Sequence, residues 1–297
     1  MKLSVESAKN GRNLTIGMDI GMEGRTFLTP VKVSIAQTML FSYNSMKDYK
    51  KLAKETRREV LKIICTGKTS HAASNLSAVD FTVVLYENLK PKDRVVWSAG
   101  WKAALIYLML EKQGKITKEQ LKTFPNPPFL GLAEVGVPGV LVSGGSVGHG
   151  LGVSVGIALA KKRAGEKGTV YVIMSDGELN EGSTWEAVML ASHHKLDNLV
   201  AIIDKNGWQA MGKCEDVIYI DEVKAFQGFG WHAHGIDGHN HKQLEVAFTT
   251  ENPTGKPLVF VCNTVKGKGV SFMENHLLYH YKHVSDEDLE KALVELQ

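Results

Sequence analysis

Two kinds of apolar pattern alternate along the chain. Between 45 and 66, Leu52, Val60, Leu61, Ile63 and Ile64 recur at helical spacing among lysines, arginines and glutamates. This predicts an amphipathic helix from about Ser45 to Thr66, stopped by Gly67, with "KDYKKLAKETRRE" (47–59) as its solvated face. Further helices are expected over Ser77–Leu89, over "KAALIYLMLEKQG" (102–114), after the glycine-rich turn of "GGSVGHGLGVSVGIALAKKRAG", and in "TWEAVMLASHHK". Between them lie short runs that are apolar without alternation: "DRVVWSA" (93–99), "TVYVIM" (169–174), "NLVAIIDKN" (198–206) and "PLVFVCNTV" (257–265). "HAHGIDGHN" reads as a strand end and loop, and the proline-rich 124–140 as an irregular loop. Continuous apolar strands alternating with helices predict an α/β fold, a parallel sheet with helices on both faces.

Residues 1–43 do not fit this rhythm. "TIGMDIGMEGRTFLTP" is glycine-rich, and "VKVSIAQTMLFSY" suits a strand or a short helix, so 1–43 is expected to be an N-terminal arm preceding a domain over 44–297. Composition narrows the class of partner. The 35 basic residues nearly balance 32 acidic ones, so a net +3 gives no reason to expect nucleic acid or an anionic membrane. Cys65, Cys214 and Cys262 are far apart and odd in number, which suggests neither a zinc site nor a disulfide framework and fits a reduced, cytoplasmic setting. "MKLSVESAKNGRN" has no apolar core of a signal peptide, and no window approaches the length of a membrane span.

Chemistry gathers where strands end. In parallel sheets, ligands bind at the carboxyl ends of strands, at a switch in strand order. Three loops leave strands there: "SDGELNEG" from Ser175, "DKNGWQAMG" (204–212) and "NTVKGKGVSF" (263–272). Asp176 and Asn206 lie just beyond two consecutive strands. Singly, Asp-Gly and Asn-Gly are ordinary turn pairs. Together they bring a carboxylate and an amide oxygen to one place, and Mg²⁺ takes such hard oxygens along with phosphate oxygens. Gly177 lets backbone N–H groups approach a phosphate, and the helix N-terminus that follows favours an anion.

The segment "SDGELNEGSTWEAVMLASHHKLDNLVAIIDKNGWQAMG" resembles the thiamine-diphosphate motif of transketolases, which opens with Gly-Asp-Gly and closes at an Asn. "SNLSAVDFTVVLYENLKPKDRVVWSAG", "VPGVLVSGGSVGHGLGVSVGIALAKK" and "CNTVKGKGVSFMEN" echo further family segments, and the likeness runs from Lys54 to Leu289. By this resemblance the cofactors are thiamine diphosphate and Mg²⁺, or Ca²⁺ or Mn²⁺ in its place. Asp176, Asn206 and the Trp208 carbonyl ligate the metal, and Gly177 lies against the diphosphate. Gly145, Val147 and Gly148 match the loop that meets the aminopyrimidine ring. His71 and His280 match histidines that touch cofactor and substrate, and Glu181 matches a glutamate that couples the two sites of a dimer.

Departures from the family pattern carry information. Ser175 replaces the opening glycine of the metal motif. Trp101 in "SAGWKA" stands where a cofactor-adjacent histidine is expected, Leu132 replaces the histidine of "GHPE", and His149 replaces a glutamine. Losing two hydroxyl-binding histidines implies a donor or acceptor less hydroxylated than the usual ketose phosphate. The resemblance covers only the diphosphate-binding half of a transketolase. It therefore implies a second subunit carrying the pyrimidine-binding and C-terminal domains, in a heterotetramer whose reaction is transfer of a two-carbon ketol unit between small-molecule substrates. Two alternatives stay open: a carboligase with a 2-oxo acid such as pyruvate as donor, and a non-catalytic subunit that has kept the fold.

Overall fold

The computed structural model describes residues 2–7, 14–19, 47–252 and 255–297. The chain divides into two compact units, Met1–Asp48 and Tyr49–Gln297. In the first, strands β1 (Lys2–Ser7) and β2 (Leu14–Asp19) pair antiparallel, with Lys2 opposite Asp19 and Ser7 opposite Leu14. The expected arm therefore contains a hairpin. "VKVSIAQTMLFSY" and the expected helix start at Ser45 lie outside the described residues.

The second unit is built on β3 (Arg94–Trp97), β4 (Val170–Ser175), β5 (Leu199–Lys205), β6 (His232–Asp237) and β7 (Leu258–Asn263). All neighbours pair in parallel, in the order β3-β4-β5-β7-β6. The unbroken apolar runs are explained by burial on both faces. Val170, Val172 and Met174 of β4 enter one cluster with Leu199, Ala201 and Ile203, while Tyr171 and Ile173 enter the other with Val200 and Ile202. The first cluster is closed by Leu151, Val155 and Val188, the second by Val60, Leu61, Ile64, Leu105 and Tyr107. Because β3, β4 and β5 follow one another without reversal, the β4–β5 edge is not a switch in strand order. The sequence expectation is corrected there: the relevant edge is where two successive strands end in register, with Ser175 opposite Asp204.

Helix α1 (Tyr49–Gly67) buries Val60, Leu61 and Ile64 as its sequence announces, but Leu52 and Ile63 are only half-buried. The expected solvated face of 47–59 is corrected: Tyr49, Ala53, Thr56 and Arg57 are buried there, Arg57 because it pairs with buried Asp80. The helix expected from Ser77 begins earlier and is interrupted. It is α2 (Ala72–Ser77) and then α3 (Val79–Asn88), with His71 left-handed just ahead of α2. Ser74, Asn75 and Ser77 look like cap residues in the sequence, but all three are buried. Asn75 Oδ1 accepts the Leu105 N–H at 3.0 Å, in the first turn of α4 (Ala103–Lys112). Beyond a short α5 (Lys118–Leu121), α6 (His149–Arg163) and α7 (Gly182–His193) cover the other face. The helical segments Cys214–Val217, Glu222–Gly228, His241–Thr249, Leu278–Tyr281 and Asp286–Glu295 have no counterpart in the pattern-based expectations. Among the described residues no helix is long and apolar enough to cross a membrane.

Close backbone approach fixes the loops above the sheet. A Cβ on Gly100 would meet Gly144 Cα at 2.3 Å, and one on Gly150 would meet Ser98 Oγ at 2.5 Å. By contrast, a Cβ on Gly152, in α6, meets nothing within 4 Å. Gly100→Ala should therefore destabilise the chain by about 2 kcal/mol or more, through forced backbone shifts. Gly152→Ala should be neutral or stabilising by up to about 1 kcal/mol, as a helix glycine replaced. Urea unfolding of the two variants checks the contrast; equal losses would remove the close-approach argument.

Candidate active site

The carboxyl ends of β4 and β5 hold an unusual density of buried charge. Asp176 follows β4 directly and is 6% exposed. Its Oδ1 accepts the Gly177 N–H at 2.9 Å, and its Oδ2 accepts the Gly207 N–H at 2.7 Å. Burial, and then the nearby Asp204 carboxylate, push Asp176 up from 3.8 to about 6. Asn206, also buried, turns its amide so that Nδ2 donates to Asp204 Oδ2 at 3.3 Å and Oδ1 accepts the Trp208 N–H at 3.1 Å. Asp176, Gly207, Trp208, Gln209 and Cys214 line a cavity of about 330 Å³.

Asp204 itself is fully buried. It accepts from Ser77 Oγ at 2.6 Å, Lys102 Nζ at 2.7 Å and Thr264 Oγ1 at 2.5 Å. Burial alone would raise its carboxyl; the Lys102 ammonium and these hydrogen bonds outweigh burial and hold it below the ordinary range. Lys102 donates also to the Ser74 carbonyl at 2.5 Å. Ser74 Oγ in turn accepts from Lys266 Nζ at 3.3 Å, and Lys266 reaches His280 Nδ1 at 3.1 Å. Lys266 is 1% exposed, and among the described residues no carboxylate pairs with it. Burial and the Lys102 charge lower it to about 8.

His71 and His280 meet edge to face with ring centroids 5.0 Å apart, and the His71 N–H donates to the His280 carbonyl at 3.1 Å. Ser70 Oγ lies 2.6 Å from His71 Nδ1. Burial, with Lys266 and then Lys102 for His71 and with Lys266 and then His71 for His280, lowers the two rings to about 4 and about 3. Both are neutral at physiological pH. His71 also lines a cavity of about 620 Å³ with Leu130, Leu132, Tyr281 and His283. Leu132, singled out as a lost histidine, thus sits on the same wall as His71.

The glycine-rich loop joins this edge through Glu178, to which the sequence motifs assign no role. Glu178 is fully buried, and burial raises its carboxyl. It accepts from Ser98 Oγ, from the Ser175 N–H at 2.8 Å and from the Gly148 N–H at 3.3 Å. One carboxylate thereby ties the ends of β3 and β4 to the 143–148 loop. Gly145 and Gly148 both have positive φ, at 104° and 82°. Val147 and Trp101 are half-buried in their loops. Glu181 and His149 are exposed; Glu181 makes no capping hydrogen bond to α7, and His149 Nε2 lies 3.2 Å from Ser146 Oγ.

A family model described as "Transketolase, thiamine diphosphate binding domain" matches residues 49–296. The chain belongs to the transketolase family. An apulose-4-phosphate transketolase subunit of Actinobacillus succinogenes is 35% identical, over 86% of this chain and 98% of that protein. A 6-deoxy-6-sulfo-D-fructose transketolase subunit of a Clostridium species is 31% identical, over 84% of this chain and 96% of its own length. Among solved structures, transketolase from Campylobacter jejuni superimposes with a TM-score of 0.79 at 27% identity. That match covers 84% of this chain and 42% of the other, so the chain spans less than half of that transketolase. The family resemblance read from the motifs is thereby shown, as is the α/β architecture of the diphosphate-binding domain.

The residues fit the cofactor of the family. Lys266 is a buried cation that forms no ion pair among the described residues, and it suits a diphosphate. Asp176 is a buried carboxylate pushed toward protonation, which a divalent cation would relieve. Among the described residues no three His, Cys, Asp or Glu side chains are placed to hold a metal. A metal here would instead take Asp176, the Asn206 Oδ1, the Trp208 carbonyl and phosphate oxygens, a donor set suited to Mg²⁺.

These shifts set the pH response of the free chain. Because Asp176 titrates at about 6 folded and 3.8 unfolded, its ionised form destabilises the fold above pH 6, and the penalty vanishes below 3.8. Asp176→Asn sets an NH₂ against the Gly177 or the Gly207 N–H at every pH, so the diagnostic is the pH dependence: relative to the parent the variant should gain about 1–3 kcal/mol between pH 4 and pH 8. The neutral histidines act on the acid side: their stability is full above 6.5 and falls as pH drops toward about 4 and about 3. Thermal melts of parent and variant from pH 4 to 8 test this; a stability difference that does not change with pH contradicts it.

Proposed function

We propose that this chain is the diphosphate-binding subunit of a two-chain, thiamine-diphosphate-dependent transketolase that transfers a two-carbon ketol unit. The observation that carries the reading is a pair of buried charges that form no ion pair. Among the described residues Lys266 pairs with no carboxylate and Asp176 with no cation, and the two attract each other only at a distance. A magnesium diphosphate supplies both at once. A fold that buries opposite charges without pairing them is destabilised unless a ligand completes them.

Thiamine diphosphate supplies, when bound, the nucleophilic carbon and electron sink on which such transfers depend. This chain's residues do the rest of the work at its end of the site. Asp176, Asn206 and Trp208 hold the metal, and Gly177 leaves room for the phosphates. The 143–148 loop, kept in place by Glu178, offers backbone groups to the ring. His71 and His280, both neutral, accept or donate protons at substrate oxygens beside the cofactor. Leu130 and Leu132 give the acceptor wall an apolar character, which supports a substrate less hydroxylated than the common ketose phosphates. Two of the relatives are named for apulose 4-phosphate and for 6-deoxy-6-sulfo-D-fructose. Their designation as subunits supports a partner chain here, which would carry the pyrimidine-binding and C-terminal domains in a heterotetramer. Glu181, exposed and without a side-chain hydrogen bond among the described residues, suits the contact between sites in that assembly.

Two measurements test this. Calorimetry with thiamine diphosphate and Mg²⁺, with and without the partner, should show binding that Lys266→Met weakens by about tenfold or more. The same variant should leave the ligand-free chain as stable as the parent or more so, because a buried unpaired charge is gone. No cofactor binding in either setting would favour a non-catalytic subunit. With the assembled enzyme, kcat/KM for xylulose 5-phosphate with ribose 5-phosphate should be low, and Leu132→His should raise it. Efficient turnover by the parent enzyme would refute the altered substrate class. Pyruvate decarboxylation without ketose cleavage would instead point to a carboligase.

A further inference from the structure

We infer that the buried Lys102–Asp204 ion pair is a positioning element, which sets the metal-ligating face of Asn206 and ties it to the helix that His71 precedes. The inference rests on the cofactor reading above. Lys102 adjoins Trp101 in "SAGWKA", where the family pattern "SxGHA" has a small residue. Both members of the pair are completely buried.

The partners on either side decide the orientation of Asn206. A carboxylate oxygen held by an ammonium takes Nδ2, and a backbone N–H takes Oδ1. That is the arrangement found, with Nδ2 on Asp204 Oδ2 at 3.3 Å and Oδ1 turned to the Trp208 N–H at 3.1 Å. Oδ1 is the atom a hard cation takes. Lys102 Nζ, at 2.7 Å, holds the same Asp204 oxygen that faces the Asn206 amide. The same ammonium donates to the Ser74 carbonyl at 2.5 Å, and Ser77 Oγ reaches the same Asp204 oxygen at 2.6 Å. Both serines lie in α2, the helix that starts immediately after His71. One ion pair therefore fixes the metal loop and the histidine helix relative to each other. Partners behind a metal ligand commonly set its orientation and the affinity of the site.

The test uses the full chain and replaces both charges, since Lys102→Met alone leaves Asp204 buried without its cation. In Lys102→Met/Asp204→Asn, near-UV circular dichroism and the melting temperature should stay close to the parent's. Mn²⁺ affinity in the presence of thiamine diphosphate should fall by about tenfold or more, read by electron paramagnetic resonance. Crystal structures of ligand-free parent and double variant should show Asn206 and His71 displaced relative to each other. Unmoved Asn206 and His71, or unchanged Mn²⁺ affinity, overturns the positioning role. If the parent fails to bind Mn²⁺ with the cofactor both alone and with its partner subunit, the proposed function fails, and the ligand-free structures still decide this inference.

Discussion

β4 and β5 end side by side, Ser175 opposite Asp204, and that edge accommodates charges that would not tolerate burial alone. Asp176, Asp204, Lys102 and Lys266 are all largely withdrawn from water within one polar web. Only Asp204 and Lys102 are paired with each other. The surrounding architecture follows from keeping this web in place. Asp204 takes its hydrogen bonds from Ser77 of α2 and Thr264 after β7. The strand edge thus recruits the segments on both sides of it.

The other face of the site depends on close backbone approach. Gly100 against Gly144 and Gly150 against Ser98 allow the glycine-rich loop and α6 to settle on the end of β3. Glu178 then joins that loop to Ser175 through hydrogen bonds that an exposed carboxylate would give up to water. Energetically this is an expensive way to hold a loop, because a carboxylate is desolvated to do it. It yields a loop whose backbone N–H and C=O groups are fixed before any ligand arrives, which is what a site built on backbone contacts requires.

Much of this was legible in the sequence. Asp176 and Asn206 could be read because strand ends are marked by the change from apolar run to turn, and the spacing put them on neighbouring strands. His71, His280 and the glycine loop were legible only through family motifs. Lys102, Asp204 and Lys266 were not legible as site residues. A lysine in "GWKAAL" or "VKGKG" looks like any surface lysine, and nothing local says it will be covered on all sides. Glu178 was visible as one of several acids after Asp176, yet its neighbours Ser98 and Gly148 are distant in the chain. The helix start expected at Ser77 was misplaced, because Ser77 is a buried hydrogen-bonding residue and shares the composition of helix caps.

By itself the sequence determined the alternation of strands and helices and the two-sided burial of the sheet. It also put oxygen donors at the strand ends, since periodicity and turn chemistry are local properties of the chain. Tertiary structure alone decided which charges pair and which stay unpaired. It also decided that β7 inserts between β5 and β6, and that two histidines 209 positions apart in the chain, His71 and His280, face each other as neutral rings. The reason is physical: desolvation and Coulomb energy depend on what surrounds a group in space, and neither is written at the group's own position in the sequence.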